Sequence, residues 1–193
     1  ALKKGRCVIH KREPEAIEEE NYFFRLSKYS KKIEKIIESD EIRIIPKTRK
    51  NEILNFVKQG LEDISFSRPR KDLAWAIPVP NDAGSSVYVW ADALTNYLSA
   101  IGYSENSNKF KRFWPADVHC LGKDILKFHG AIWPGMLLSL GLPLPKTIFV
   151  HGFITVAGQK MSKSLGNVVD PFELVKKYGT DAVRYFLLRE IPS

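Results

Sequence analysis

Cysteine and long apolar runs are both scarce in this chain of 193 residues. Its two cysteines, Cys7 and Cys120, do not make a disulfide framework, which favours a reducing compartment. The longest stretch without a charged residue, residues 130–145, is interrupted by prolines and glycines and is too short to span a bilayer. No secretory signal opens the chain. We therefore expect a cytoplasmic protein without a membrane partner, with an organellar matrix as the alternative.

Internal repeats and low-complexity segments are also missing. The chain fits one or two compact units, and its 44% of hydrophobic residues can form a real core. Its net charge of +8 favours a polyanionic partner such as a nucleic acid, a nucleotide or an anionic lipid. Charge alone does not decide the function, because the same excess also serves solubility.

Apolar patterns beyond Pro69 alternate between the strand and the helix period. Strands are predicted at residues 75–79, 87–90, 118–121 and 147–150, a turn at 81–86, and helices at 94–101 and 125–140. Further helices are predicted over 23–37, from Asn51 to Gly60, and from Pro171 to Gly179, with an extended piece at 42–45. This alternation predicts an α/β fold with a parallel sheet. Ligands bind such sheets at the carboxyl ends of strands, where Trp90, Gly122 and Gly152 are expected.

The densest functional signal is the segment from Gln159 to Asn167. Lys160 and Lys163 are three residues apart on a glycine-containing loop, so they can bracket one polyanion. The hydroxyls of Ser162 and Ser164 and nearby N–H groups add neutral donors, which suits a triphosphate that is being rearranged. A solvated basic turn would explain two spaced lysines alone, but not the whole string.

Two further segments combine aromatic and polar residues. In residues 122–133, helical spacing places Ile125, Phe128, His129 and Trp133 on one face, with Asp124 at the preceding turn. This pattern indicates either a core face with one hydrogen-bonded histidine or an apolar pocket that suits a thioether. In residues 87–97, Trp90, Ala93 and Tyr97 offer a second aromatic wall, although a lone tryptophan of this kind is usually core.

Taken in order along the chain, these segments resemble the methionyl-tRNA synthetases of bacteria and organelles, which belong to the class I aminoacyl-tRNA synthetases. The Lys-Met-Ser-Lys-Ser string at 160–164, residues 19–29, 63–69, 88–92 and 122–129, and Val-His-Gly at 150–152 carry the resemblance. It covers essentially the whole chain. Leucyl, isoleucyl and valyl relatives share the lysine loop but differ where Gly-Lys-Asp-Ile stands here.

The resemblance implies the second half of a Rossmann-like, parallel-sheet catalytic domain with flanking helices. It implies ATP-dependent activation of methionine with Mg²⁺ and transfer to tRNA(Met). Lys160 and Lys163 would be catalytic. The ATP-binding set would be Gly122, Asp124, His151, Gly152, Ile154, Lys160, Met161, Ser162, Lys163 and Ser164. The methionine-binding set would be Trp90, Ala93, Tyr97, Ile125, Phe128, His129 and Trp133.

Cys7 and His10 have the spacing of half a zinc site. A lone pair of this kind is more often accidental than a ligand set. In zinc-bearing relatives the pair supplies two of four ligands, and the other two come from an upstream Cys-x-x-Cys that this chain lacks. Zn²⁺ is therefore expected, if at all, only in a longer protein.

The class I signature His-Ile-Gly-His does not occur in the chain. We therefore expect a fragment that is inactive or nearly inactive alone. Its segments would be the end of a connective insertion (1–68), the C-terminal half of the catalytic fold (69–157), and the lysine loop with the start of a stem-contact helical segment (158–193). The alternatives are a non-catalytic tRNA-binding module derived from a class I synthetase and a different class I ligase. The oligomeric state is left open.

Overall fold

The computed structural model describes residues 2–3, 5–7, 13, 18–72, 75–105, 107–161 and 166–190, with the backbone alone for residues 2, 3, 6, 7, 72 and 160. The chain divides into two compact units, each discontinuous in sequence. The first comprises Ala1–Phe24 and Ile64–Ala93, and the second comprises Arg25–Asp63 and Leu94–Ser193. The three segments predicted above concern the parts of a longer protein, so that division stays a prediction.

The elements are as follows in chain order. The strands are β1 (Leu2–Lys3), β2 (Arg6–Cys7), β3 (Phe23–Phe24), β4 (Arg43–Ile45), β5 (Ile64–Ser65), β6 (Ser67–Pro69), β7 (Pro78–Val79), β8 (Asp82–Val87), β9 (Val118–Gly122), β10 (Thr147–His151), β11 (Thr155–Val156) and β12 (Gln159–Lys160). The α-helices are α1 (Ser30–Glu38), α2 (Lys47–Lys58), α3 (Val89–Ser99), α4 (Asn108–Phe113), α5 (Trp133–Leu140), α6 (Pro171–Tyr178) and α7 (Thr180–Glu190). Short 3₁₀ turns cover Leu26–Tyr29, Arg70–Asp72 and Lys123–Ile125, and a π-helical turn covers Phe128–Ile132.

The first unit is built from short antiparallel strands. β8 lies between β6 and β7, and β3 pairs with β5. The predicted turn at 81–86 is right only at Asn81, which has positive φ between β7 and β8. Residues 82–86 belong to β8, because pairing with β6 and β7 holds these small, turn-like residues extended. The predicted strand at 87–90 is also wrong. The chain enters α3 at Val89, so Trp90 lies in the first turn of a helix and not at a strand end.

A three-stranded parallel sheet forms the centre of the second unit, in the order β4-β10-β9. The strands predicted at 118–121 and 147–150 are confirmed with one more residue each. The extended piece at 42–45 supplies the third strand, which the sequence did not assign to the sheet. Ile44, Leu121, Ile148 and Val150 are buried and alternate along the strands with more exposed residues, so one face of the sheet packs against the core. The α/β class with a parallel sheet and flanking helices is therefore confirmed.

Helices α1 and α2 pack together beside this sheet. Ile33 and Ile37 of α1 and Ile53 and Val57 of α2 are all nearly or fully buried, and each such side chain contributes about 1.5–3 kcal/mol. Both helices depart from their predicted starts. Residues 23–24 belong to a strand, and α2 begins directly after Pro46, whose carbonyl accepts from the N–H groups of residues 49 and 50, and not at Asn51.

The helix predicted over 125–140 contains one widened turn. The N–H of Trp133 donates to the carbonyl of Phe128, which is the π spacing, and α5 follows. Pro134 has no N–H to continue the regular ladder, so the wide turn just before it absorbs the irregularity. Gly130 lets this turn approach α2 closely, since a Cβ there would lie 2.7 Å from Cγ1 of Ile53.

The last part of the second unit is a hairpin followed by two helices. β11 and β12 pair across Ala157 and Gly158, which both have positive φ as a tight hairpin turn requires. Pro171 begins α6 as predicted, and the Asp170 side chain caps it by accepting from the N–H of Phe172 at 2.8 Å. Among the described residues, no helix combines the length and the apolar character that crossing a bilayer demands.

Candidate functional site

Tyr97 on α3 and His129 in the π turn form the central polar pair of the second unit. The Tyr97 hydroxyl lies 2.8 Å from Nε2 of His129, and Nδ1 of His129 lies 3.0 Å from the carbonyl oxygen of Ile125. A carbonyl can only accept, so Nδ1 carries the proton in the neutral ring and Nε2 accepts from the tyrosine. His129 is 1% exposed, whereas Tyr97 is 37% exposed. The exposed Tyr97 ring is therefore held in one orientation by its hydrogen bond to the buried His129.

A second buried histidine, which the sequence analysis missed, lies beside this pair. The Trp133 indole N–H donates to Nε2 of His119 at 3.3 Å, and the centroids of the His119 and Tyr97 rings are 4.4 Å apart. Trp114 packs edge-on against Trp133 at 5.9 Å. The signal was available, since in β9 the two-residue period places His119 on the same buried face as Leu121.

These buried groups are neutral near pH 7. Burial lowers the pKa of His119 to about 4, and a charge on neighbouring His129 would oppose its protonation further. Burial also lowers the pKa of His129. The hydrogen bond to the Ile125 carbonyl raises it, but burial is the larger effect. Burial raises the pKa of Tyr97. An uncharged, mainly aromatic cluster suits an apolar ligand with one weakly polar atom.

Acidification is expected to destabilise the fold through His119. Its folded pKa of about 4 lies below the ordinary value of 6.5, so the unfolded chain binds the proton first. The contribution is complete above pH 6.5 and is lost as the pH falls towards 4, where the free energy of unfolding should have dropped by about 3 kcal/mol. Denaturant unfolding at several pH values measures this, and His119→Gln should remove most of that acid dependence. An NMR signal of His119 that titrates near pH 6.5 would contradict the burial.

The structure separates the predicted methionine-binding residues into three groups. Tyr97 has an exposed face, and Ile125 and Phe128 are half-buried. His129 and Trp133 are fully buried, so in this state they support the wall and do not form its surface. The half-buried Trp90 and the exposed Ala93 belong to the first unit.

Three of the predicted nucleotide-binding residues meet at the carboxyl ends of β9 and β10. Gly122 and His151 are partners in the sheet register. A Cβ on Gly122 would lie 3.0 Å from Oδ1 of Asp124 and 3.7 Å from Cε1 of His151. The absence of a side chain therefore lets the Asp124 carboxylate and the His151 imidazole each come close to the backbone of Gly122. Nδ1 of His151 contacts the carbonyl of Gly152 at 2.7 Å, which leaves Nε2 of the neutral ring as an acceptor.

The base of the lysine loop is tied at both sides through Met161. Its N–H donates to the carbonyl of Ile154 at 3.1 Å, and its sulfur accepts from the N–H of Val169 at 3.4 Å. Of Lys160 only the backbone, at the end of β12, is described. Ser162, Lys163 and Ser164 lie outside the described residues, so the catalytic assignment of the two lysines stays a prediction.

The half zinc site is likewise untested. Cys7 is described only as backbone in β2, and His10 lies outside the described residues. Within the described ranges, no three His, Cys, Asp or Glu side chains come together in a way that could hold a metal ion.

An open cavity of about 990 Å³ lies in the first unit and was not predicted. Glu18, Glu19, Glu20 and Asp82 line it together with Lys71. Tyr22 also lines it, and a hydrogen bond to Asp82 raises the pKa of this tyrosine. A predominantly acidic wall repels phosphate, which separates this cavity from the nucleotide chemistry expected at the parallel sheet.

Comparisons with known proteins agree on one family. The family model described as tRNA synthetases class I (M) matches residues 1–193. The methionine–tRNA ligase of Caldanaerobacter subterraneus subsp. tengcongensis is 55% identical over 192 residues, which cover 99% of this chain and 30% of that protein. That of Thermotoga maritima is 51% identical over 185 residues, covering 96% of this chain and 29% of the relative.

Solved structures agree with the sequence relatives. The Mycobacterium tuberculosis methionyl-tRNA synthetase bound by methionyl-adenylate superposes with a TM-score of 0.86 at 46% identity, covering 97% of this chain and 36% of that one. Its apo form gives a TM-score of 0.82 at 43% identity. The chain therefore spans about a third of the length of these relatives.

Proposed function

Because the chain belongs to the class I tRNA synthetase family for methionine, we propose that the protein containing it is a methionine–tRNA ligase. It would activate methionine with ATP to methionyl-adenylate and then transfer the methionyl group to tRNA(Met). The names of the relatives and the methionyl-adenylate in the similar tuberculosis structure support this. The observation on this chain that carries it is the exposed face of Tyr97, held in place by a neutral, buried His129.

In the proposed methionine pocket, the exposed face of Tyr97 would contact the ligand. Ile125 just before the π turn and Phe128 at its start would contribute apolar surface. A thioether is polarizable and packs well against aromatic edges, and no charged group in this cluster would oppose it. The family resemblance also assigns Trp90 and Ala93 to methionine binding. Pocket shape distinguishes methionine from an amino acid one methylene shorter by only about 1–3 kcal/mol, so fixed polar orientation by Tyr97 and His129 has to add to it.

The proposed ATP site begins where β9 and β10 end. Gly122, Asp124 and His151 converge there, and Gly152 and Ile154 continue the backbone towards the loop. Asp124 and Nε2 of His151 are acceptors suited to hydroxyl or amino donors of a nucleoside. Lys160, Met161, Ser162, Lys163 and Ser164 are assigned to the triphosphate. Mg²⁺ is expected to arrive bound to ATP, and zinc at Cys7 and His10 stays a proposal for the longer protein.

The chemistry requires no protein nucleophile. A carboxylate oxygen of methionine attacks the α-phosphorus of ATP, a new O–P bond forms, and pyrophosphate leaves. A ribose hydroxyl of the terminal adenosine of the tRNA then attacks the carbonyl, and AMP leaves. The protein therefore acts by positioning and by stabilising charge, which is the role proposed for Lys160 and Lys163.

The segments of the proposed longer protein follow from the same assignment. Residues 1–68 would end a connective insertion, 69–157 would complete the catalytic fold, and 158–193 would begin the stem-contact segment. The ligase would work in the cytoplasm or in an organellar matrix. A catalytically silent tRNA-binding module is the second candidate, favoured by the net charge of +8.

ATP–pyrophosphate exchange in the full-length gene product tests the proposal. Exchange that depends on methionine and on no other amino acid is the expected result. Exchange with a different amino acid would indicate another class I ligase. Tight tRNA binding without any exchange would support the non-catalytic module instead.

A further inference from the structure

His119 is a buried titratable residue to which the mechanism above gives no role. It is the second residue of β9, with 6% of its surface exposed. The neighbouring positions of the strand, Val118 and Cys120, face outward, so the pleat turns His119 into the interior of the second unit. A polar ring in an otherwise apolar strand interior is expensive unless it makes a specific contact.

Among the described residues, the hydrogen bond and the ring contacts of the His119 side chain go to the aromatic cluster. Its Nε2 accepts the indole N–H of Trp133 at 3.3 Å. Its ring lies 4.4 Å from that of Tyr97 at an interplanar angle of 44°, a tilted contact within the favourable range. The rings of His129 and Trp114 lie at 6.0 and 6.3 Å. One imidazole therefore touches both Trp133 and Tyr97.

We propose that His119 is a positioning residue that fixes the orientation of the Trp133 indole and the Tyr97 ring, and thereby determines selectivity for methionine. The proposal rests on the proposed function, since it assigns Tyr97 to the methionine pocket. The indole has one N–H donor, and a buried donor needs an acceptor. The described acceptor of this N–H is Nε2 of His119. Trp133 and His119 together then form a rigid support behind Tyr97.

The charge state of His119 is compatible with this role. Its pKa of about 4 keeps the ring neutral at physiological pH, so Nε2 retains the lone pair that accepts from Trp133. The described titratable groups beside it are His129, which burial also keeps neutral, and Tyr97, whose pKa burial raises, so neither adds a charge at physiological pH. Protonation therefore does not interrupt the support in the working pH range.

A simple packing role makes different predictions from a positioning role. If His119 only filled space, a substitution would lower stability and the apparent kcat through the folded fraction, and would leave the KM for methionine and for ATP unchanged. If it positions Tyr97 and Trp133, the KM for methionine and the discrimination against shorter apolar amino acids change, while the KM for ATP stays constant. Replacement by glutamine can also keep an acceptor near the place of Nε2, whereas leucine cannot.

The experiment compares His119→Leu and His119→Gln in the full-length gene product by pyrophosphate exchange. His119→Leu is expected to raise the KM for methionine at least about tenfold, with kcat within about threefold, because a buried donor is left unpaired. His119→Gln should recover most of the loss. Ile33→Val on α1 is the control, because it opens a small core defect where α1 packs on α2, on a helix that carries none of the aromatic cluster, and it should leave selectivity unchanged.

An NMR measurement of the indole ¹⁵N–¹H signals separates the possible failures. The Trp133 signal, assigned with Trp133→Phe, should shift in His119→Leu and return in His119→Gln. Equal methionine KM and selectivity in all variants would overturn the inference, as would a Trp133 signal unchanged in His119→Leu. If His119→Leu does not fold, His119→Phe, which keeps a ring but offers no acceptor nitrogen, takes its place with the same kinetic and NMR measurements. The absence of methionine-dependent exchange in the wild type would instead overturn the proposed function. The NMR measurement would then still test the hydrogen bond between Trp133 and His119.

Discussion

Replacing Lys163 with alanine in the full-length gene product is expected to slow adenylate formation by about 10²–10³-fold. Negative charge on the α- and β-phosphates moves as the new O–P bond forms and pyrophosphate leaves. A lysine on the loop at 160–164 can neutralise that charge in the transition state, where it is worth most. Methionine in the ground state carries no phosphate, so its dissociation constant should change by less than about twofold.

Single-turnover formation of the adenylate, with methionine binding measured separately, tests this prediction. Lys146→Ala is a matched control, because Lys146 is 65% exposed, pairs with Asp117 and lies just before the amino end of β10, opposite the proposed site. The control should keep its rate within about twofold, as is usual for an exposed ion pair. If Lys163→Ala weakened methionine binding as much as it slowed the reaction, the transition-state role would be refuted.

Replacing His129 with alanine is expected to lower kcat/KM for methionine by about 10–100-fold. The substitution removes the acceptor for the Tyr97 hydroxyl and the donor for the Ile125 carbonyl at one buried point. It also leaves a void behind the exposed face of Tyr97. Tyr97→Phe removes the same hydroxyl contact without a void, so its effect should be smaller.

A double-mutant cycle makes this second prediction specific. Because Tyr97 and His129 share one hydrogen bond, the combined variant should lose less than the sum of the two single losses. Steady-state exchange kinetics with methionine and with shorter apolar amino acids are measured for the wild type, the two single variants and the double variant. Two single variants that both retain wild-type selectivity and kcat/KM would show that the pocket is elsewhere.

Local patterns predicted the central sheet better than they predicted the first unit. β9 and β10 were readable because each is a short apolar run closed by glycine or a polar turn. β8 was not, since its alanine, glycine and serines have the composition of a turn and become a strand only by pairing with β6 and β7. The misplaced strand at 87–90 followed from that error, and it put Trp90 at a strand end.

The candidate site shows the same division. His129 and Trp133 were identified by their spacing on a helix, and the bond from Tyr97 to His129 confirms that the two segments meet. The sequence did not reveal His119, whose importance depends on a contact with Trp133 from a different element. It also did not reveal that His129 and Trp133 lie behind Tyr97, because burial depends on what packs around a helix face.

The amino-acid sequence by itself determined the family and the α/β class, and it supplied the proposals for the lysine loop and for the residues of the methionine pocket. These follow from short strings and local periods, in which each residue's neighbours along the chain carry the information. Tertiary structure alone decided that β4 joins the sheet, that the wide turn before Pro134 packs on α2, and that His119 supports the aromatic cluster. Each of these depends on contacts between segments far apart in sequence, whose energies no local window contains.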